Sequence, residues 1–296
     1  MTRVAFLGLG AIGRPMAHHL AAAEELAVWN RTAERAASFA REHTGVQHAS
    51  TPAEAAAGRD VVITCLPTSK DVESLMDGAD GLLAGMGPGS VLVDCTSGDP
   101  ATSRSIAAQL AARDIRFLDA PVSGGVVGAE RAKLTVMVGG DPDTLERVRP
   151  VLARFGEKIV HCGPIGAGHA LKAVNQYLLG VHIWSLAEGL AILARSGVSA
   201  ATALDVINAS SGRSNVSQNL FPERVLTRAF PRTFKMALLD KDVAIAAQSA
   251  REHGVPSPVL QLTAELMRTA HAILGEEADH VEAAKVVEQW AQVEIA

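Results

Sequence analysis

Aromatic side chains are scarce in this chain of 296 residues: they make up 4% and include a single tyrosine. Stacking platforms for single-stranded nucleic acid are therefore not expected. Cysteines number three, Cys65, Cys95 and Cys162. They are far apart, odd in number and form no C-x-x-C pair. This disfavours a disulfide framework and a zinc ribbon and fits reduced thiols in a cytoplasmic protein. The ten histidines include no H-E-x-x-H, and no His/Cys spacing suggests a metal site. Charge of one sign is also lacking: 27 Lys and Arg stand against 32 Asp and Glu, a net charge of −5. Such a surface repels a phosphate backbone, so a nucleic-acid partner is disfavoured, although a local basic site stays open. The start, Met1–Leu7, faintly resembles a secretory leader. The ordered glycines and Arg14 that follow fit a first β-strand better. One apolar stretch, 177–194, is long enough to be tested as a membrane span. It contains His182, Ser185 and Glu188, which are costly at a bilayer centre. The expectation is no membrane span, but a helix buried on most sides in a soluble protein.

What is present is ordinary globular material, 48% hydrophobic and 20% charged, at a length that suggests two domains. Short apolar runs alternate with alanine-rich segments in the first half. Strands are predicted over 4–9, 25–29, 61–66, 91–94, 116–119, 135–139 and 158–162. Helices are predicted over 14–23, 32–42, 51–57, 71–76, 102–113 and 142–155. Thr32, Thr51 and Asp141 serve as caps, the last two followed by proline. Strand–helix alternation indicates an α/β fold with a doubly wound parallel sheet. After Cys162 the pattern becomes helical almost to the end, with segments at 167–196, 199–210, 214–221, 223–228, 240–252, 257–274 and 278–294. The predicted division is residues 1–163, dinucleotide-binding, and 164–296, an all-α domain. No internal repeat is visible.

Gly8-Leu9-Gly10-Ala11-Ile12-Gly13 is a G-x-G-x-x-G placed directly after a predicted strand and before a helix. That context makes the motif informative. The first glycine permits the tight turn, the second lets the backbone approach a pyrophosphate, and the third lets strand and helix pack. The pyrophosphate then sits at the helix N-terminus. At the end of the second strand an acidic residue would hold the ribose 2′-hydroxyl of NAD. Here the sequence is Asn30-Arg31-Thr32. Arg31 offers a planar fork suited to a 2′-phosphate, and Thr32 either adds a hydroxyl or caps the helix. The reading is NADP in preference to NAD. The alternative is that Arg31 is a solvated surface charge. Leu66-Pro67 and Thr96-Ser97 follow further strands, where ligands of open α/β sheets bind. Either turn is equally well explained as an ordinary capped turn.

Ser123-Gly124-Gly125 supplies a hydroxyl and two uncovered N–H groups, a concavity for a small carboxylate or simply a flexible turn. Lys172 lies near the start of the most apolar helix, with Asn175 three residues on and on the same face. Partial burial would lower the lysine pKa towards use in proton transfer; the competing reading is a lysine that snorkels to solvent. His18, His19, His169, His182 and His271 read as surface or satisfied helix residues, and Glu276–His280 as a solvated loop and helix start. Ser123 is in no G-x-S-x-G elbow, which disfavours a serine hydrolase.

Together, Gly8-Leu9-Gly10-x-x-Gly13-x-Pro15-Met16, Cys65-Leu66-Pro67, Asp119-Ala-Pro-Val-Ser-Gly-Gly125, Gly166-x-Gly168-x-x-x-Lys172-x-x-Asn175 and Phe234-x-x-x-Leu238-x-x-Lys241-Asp242 span nearly the whole chain. In that order they resemble the β-hydroxyacid dehydrogenase family. That family includes 3-hydroxyisobutyrate dehydrogenase, tartronate-semialdehyde (2-hydroxy-3-oxopropionate) reductase and glyoxylate/succinic-semialdehyde reductase. The resemblance implies a Rossmann domain joined to an all-α domain, commonly as a homodimer or homotetramer. Lys172 would be the catalytic residue, with Asn175, Ser123, Gly124 and Gly125 holding the substrate, a small carboxylated aldehyde or β-hydroxyacid. Lys241 would lie on the cofactor side. Three positions depart from the family pattern: Thr96-Ser97 stands for Ser-Thr, Ile12 for methionine, and Gln176 for a second asparagine. The related imine reductases lack the lysine. A non-catalytic NADP-binding module is the contrasting reading, and joint retention of Lys172, Asn175 and Ser123 argues against it.

Overall fold

In the first strand, Val4 and Phe6 enter one hydrophobic layer and Ala5 and Leu7 another, and all four are fully buried. Burial on both faces is what a central parallel strand requires, and this strand is the centre of a sheet. A computed structural model describes residues 1–295. Its nine strands are β1 Arg3–Leu7, β2 Glu25–Trp29, β3 Gln47–His48, β4 Val61–Thr64, β5 Val91–Asp94, β6 Arg116–Asp119, β7 Val122–Ser123, β8 Leu134–Gly140 and β9 Gly156–Gly163. The order is β3-β2-β1-β4-β5-β6-β8-β7, with β9 beside β8. The first six are parallel neighbours. This is a Rossmann sheet, doubly wound about β1 and β4.

Alternating with the strands are α1 Gly13–Ala21, α2 Ala33–Glu42, α3 Pro52–Ala56, α4 Ser69–Glu73, α5 Leu82–Gly85, α6 Pro100–Ala111, α7 Gly125–Glu130 and α8 Pro142–Leu152. The caps at Thr51 and Asp141 form as predicted, accepting the N–H of Glu54 and Thr144. Thr32 occupies the cap position of α2 without a side-chain cap bond. The short β3, β7, α5 and α7 carry no periodic signal and are additions to the predicted set. β6 and β7 both run antiparallel to β8 and keep one register along it, Asp119 opposite Gly139 and Ser123 opposite Thr135. They are one strand interrupted at Ala120-Pro121, where the Ala120 N–H turns to the Asp94 carbonyl instead.

By packing, the chain divides into Met1–Lys172 and Ala173–Ala296. The cut falls inside α9, Ala167–Arg195. Next come α10 Ala200–Asn208, a π-helix Val216–Val225, α11 Met236–Glu252, α12 Pro258–Leu274, a 3₁₀ turn His280–Glu282 and α13 Ala283–Ala291. The second unit is all-α. Its core gathers Ile183, Trp184, Leu190, Phe221, Met236, Leu239, Val243, Met267 and Val286.

Three expectations need correction. First, helices at 214–221 and 223–228 were expected to be separated at Pro222, but one wide helix runs through it. A π-helix N–H at position 222 would bond the Ser217 carbonyl, five residues back. Proline has no N–H, and that carbonyl instead receives the Asn208 amide at 3.0 Å. Second, α9 is not buried on most sides. It buries one face and exposes Leu171, Val174, Leu178, His182, Ser185, Glu188 and Ile192. It is long and apolar enough to cross a membrane by length and composition, with 33% of its most apolar window buried. Its apolar residues cover both faces, so hydropathy alone hid the division. Third, Asp279 and His280 are not a solvated loop: they are 1% and 4% exposed.

Asp279 accepts hydrogen bonds from the Thr233 N–H and hydroxyl and the Phe234 N–H, at 2.7, 2.9 and 2.9 Å. It thereby ties the segment before α11 to the 3₁₀ turn. Burial pushes its carboxyl pKa up. The hydrogen bond and charge of His280, with the Phe234 and Thr233 N–H groups, outweigh that and hold it well below the usual carboxylate range. A depressed folded pKa contributes stability above the unfolded value, lost as pH falls towards the folded one. The gap in melting temperature between the parent and Asp279→Asn should therefore narrow steadily on acidification from about pH 5. A constant gap across thermal scans from pH 7 to 3 would contradict this.

Candidate active site

The glycine turn follows β1 directly. Gly8 has φ +108°, which only glycine adopts without strain. A Cβ there would strike the Cys65 carbonyl, and one on Gly13 would strike the Gly8 carbonyl. Gly10 differs, since a Cβ there meets nothing within 4 Å. Gly8 and Gly13 thus serve packing, and Gly10 faces open space at the mouth of α1. That helix has no side-chain cap, Ile12 standing at its cap position, so its N-terminal N–H groups are not claimed by a cap. Among the described residues this is the arrangement an anionic dinucleotide requires, and the residues fit such a group. Leu9 and Ile12 pack with the core, and Ala11 is exposed.

Asn30 has a definite job: its Oδ1 accepts the Leu9 N–H at 2.9 Å and its amide donates to the Thr32 carbonyl at 3.0 Å. It clamps the glycine turn to the end of β2. Arg31 extends outwards, 83% exposed, with one guanidinium nitrogen 3.4 Å from Asp71 of α4. Thr96 is buried, and its hydroxyl accepts the Leu66 N–H at 3.1 Å. Its oxygen therefore braces the turn after β4. Ser97, the next residue, is half-buried, and Pro67 is exposed. Burial pushes the Cys65 thiol up to about 12 and Cys95 well up too, which removes both as nucleophiles near neutrality.

Ser123 sits on β7 opposite Thr135, and Gly124 and Gly125 are exposed at the start of α7 with φ +137° and +65°. Lys172 is 8% exposed on α9, so the snorkelling alternative does not hold. In the second unit, Asn175 is exposed and donates weakly to the Gln176 Oε1 at 3.4 Å. Gln176 is buried and donates to the Asp242 Oδ2 at 3.1 Å, and Asp242 Oδ1 lies 2.8 Å from the Lys241 ammonium. Gln176 therefore joins Asn175 to the Lys241-Asp242 pair.

Several residues at this site were not singled out as site residues from the sequence. Asp119, fully buried at the end of β6, accepts the N–H groups of Gly166 and His169 at 2.6 and 2.9 Å. It caps the helix that carries Lys172. Asp94, at the end of β5, accepts the Thr64 hydroxyl at 2.8 Å and the Thr96 N–H at 3.1 Å. His169 is fully buried against both strand ends. The available hints were Asp119 at the head of its motif and the Gly166-x-Gly168 spacing, since a Cβ on Gly168 would meet Asp119 Oδ2 at 2.8 Å.

A family model for the NAD binding domain of 6-phosphogluconate dehydrogenase matches residues 3–163, and one for the NAD-binding region of NADP-dependent 3-hydroxyisobutyrate dehydrogenase matches 166–287. The 2-(hydroxymethyl)glutarate dehydrogenase of Eubacterium barkeri is 35% identical, over 98% of this chain and 95% of its own. The chain belongs to the β-hydroxyacid dehydrogenase family. Within that family, the NAD-dependent L-serine dehydrogenase of Pseudomonas aeruginosa is 35% identical over 90% of this chain and 92% of its own. The solved 3-hydroxyisobutyrate dehydrogenase of Mycobacterium tuberculosis, with L-serine, has a TM-score of 0.88 at 33% identity and covers 97% of this chain and 99% of that one. This β-hydroxyacid dehydrogenase is thus an oxidoreductase of the NAD(P)-dependent type.

Proposed function

We propose that the protein interconverts a β-hydroxyacid of the form HOCH₂–CH(R)–COO⁻ with its semialdehyde, with NADP preferred to NAD. The observation that carries this is Lys172, a buried lysine on a helix capped by Asp119. The relatives' names support the substrate class: 3-hydroxyisobutyrate, L-serine and 2-(hydroxymethyl)glutarate share a primary alcohol one carbon from a carboxylate-bearing carbon. Tartronate semialdehyde and methylmalonate semialdehyde are the corresponding three-carbon-backbone aldehydes. Succinic semialdehyde and glyoxylate lack that skeleton and are the alternative.

The bound nicotinamide dinucleotide would supply or accept the hydride. It would be held by Gly8–Gly13, Arg31, Leu66-Pro67, Thr96-Ser97 and Lys241. Ser123, Gly124 and Gly125 would hold the carboxylate, and Asn175 would keep the hydroxyl in register. Lys172 would give its proton to the alkoxide oxygen in reduction and take it back in oxidation, its positive charge stabilising the developing anion. A soluble cytoplasmic homo-oligomer fits this reading. The exposed Leu171, Leu178 and Ile192, at multiples of seven along α9, support an interface between copies.

The test is a panel of these hydroxyacids and semialdehydes with both cofactors. NADPH-linked turnover should be fastest on the HOCH₂–CH(R)–COO⁻ class. No turnover on any of them would leave the non-catalytic reading in place. The Arg31–Asp71 pair is exposed and long, so it contributes under about 1 kcal/mol and yields readily to a phosphate. Arg31→Ala should raise the KM for NADPH about 10-fold or more, the loss expected of a charge-assisted hydrogen bond, and shift that for NADH little. Equal shifts for both would end the 2′-phosphate role.

A further inference from the structure

The imidazole of His169 is a fully buried titratable group near the strand ends that the reading above leaves without a task. It lies three residues before Lys172, on the same face of α9. Its backbone N–H is fixed by Asp119. Its Nδ1 is 2.6 Å from the Ser103 hydroxyl of α6, which also reaches the Asp99 carbonyl at 3.1 Å. Its Nε2 is buried with no hydrogen-bond partner and faces the Asp94 carboxylate at 3.9 Å, beyond hydrogen-bond length. The ring also fills the space beside Gly98, where a Cβ would approach its Cε1 at 2.6 Å. Gly98 is two residues after Thr96. The ring is thus wedged between the first turn of α9 and the turn between β5 and α6, which would line the cofactor.

We propose that His169 is a positioning residue for Lys172: its ring locks the turn of α9 that presents the lysine to the Asp94–Asp99 turn. This rests on the reading of Lys172 as the proton-transfer group. A simple core histidine would act only on stability. A positioning residue acts on the chemical step, because proton transfer and hydride transfer depend on a geometry that a displacement of about 1 Å can cost 100-fold.

In the full-length protein, His169→Leu keeps the bulk and removes both nitrogens. It should lower kcat about 10- to 100-fold while the dissociation constant for NADPH, read by fluorescence, stays within about threefold. His169→Asn, whose amide places a polar atom where Nδ1 stood, facing the Ser103 hydroxyl, should recover most of the rate. Ser103→Ala should lower kcat in the same direction, and the double variant His169→Leu/Ser103→Ala should be no slower than His169→Leu alone, since both break one link. A readout independent of turnover is the rate at which an amine-acylating ester modifies Lys172, measured by mass spectrometry of the digested protein. That rate should change in His169→Leu and return towards the parent value in His169→Asn.

An unchanged kcat and unchanged Lys172 acylation in folded His169→Leu would overturn the proposal. So would a loss that falls on NADPH affinity instead of kcat, or losses that simply add in the double variant. If His169→Leu does not fold, Ser103→Ala decides by the same two measurements. If the parent turns over no substrate in the panel, the functional reading fails, and Lys172 acylation alone decides the positioning role.

Discussion

Lys172→Ala should lose about 100- to 10,000-fold in kcat, the range over which a positioned acid or base contributes, which is about 3–5 kcal/mol of barrier. The loss should fall on turnover and not on cofactor affinity, because the glycine turn is fixed by the β1–β2 pairing and by Asn30. Two controls separate chemistry from folding. Lys172→Met nearly conserves the volume of a side chain that is 8% exposed, so it avoids a cavity and should be as slow as alanine. Lys172→Arg keeps the charge but cannot release its proton, so it should not recover the rate. An alanine variant within threefold of the parent, with an unchanged melting temperature, would remove Lys172 from the mechanism and return Ser123 and Asn175 to consideration.

Much of this was legible in the sequence because the signals were local. The strands over 25–29, 91–94 and 116–119 have the observed bounds, since each short apolar run is bounded by a charged residue: Glu25, Asp94, or Arg116 and Asp119. The glycine turn was legible for the same reason: its three glycines lie within six residues, directly between one strand and one helix. What was not legible depends on pairs far apart in the chain. Asp119 and His169 are 50 positions apart, and Ser103 and His169 are 66 apart. No pattern in one sequence announces such a pair. A related blindness affected α9, where an exposed apolar face and a buried one look alike to a hydropathy reading. Asp279 was misread because four neighbouring polar residues suggest solvent, whereas its partners are Thr233 and Phe234, some 45 positions away. Gln176 shows the opposite case. It was noticed as a departure from the family pattern, and its bond to Asp242 gives the departure a purpose.

The largest expected effect on the fold belongs to Asp119. Its carboxylate is fully buried and accepts two N–H groups at the start of α9, at 2.6 and 2.9 Å. A helix leaves its first four N–H groups without internal partners, and its N-terminal end favours a negative charge. The approach is close because Gly139 and Gly168 have no side chains: a Cβ on either would meet an Asp119 oxygen within 2.8 Å. Asp119→Ala strands both donors in the interior and should cost about 3–5 kcal/mol, roughly 5–8 °C in melting temperature for a chain of this size. Asp119→Asn is the sharper test. It keeps the shape but puts an NH₂ opposite one of the two N–H groups, so it too should destabilise, by about 1–3 kcal/mol. Gly168→Ala drives a methyl into the Met137 carbonyl as well as into Asp119 Oδ2, so it overpacks the same junction from the helix side and should cost about 1–3 kcal/mol. All three shift the turn that carries Lys172, so each should lower kcat by more than the loss of folded protein explains. Variants that melt with the parent, or that lose activity only in proportion to the folded fraction, would show that the strand end does not hold the lysine.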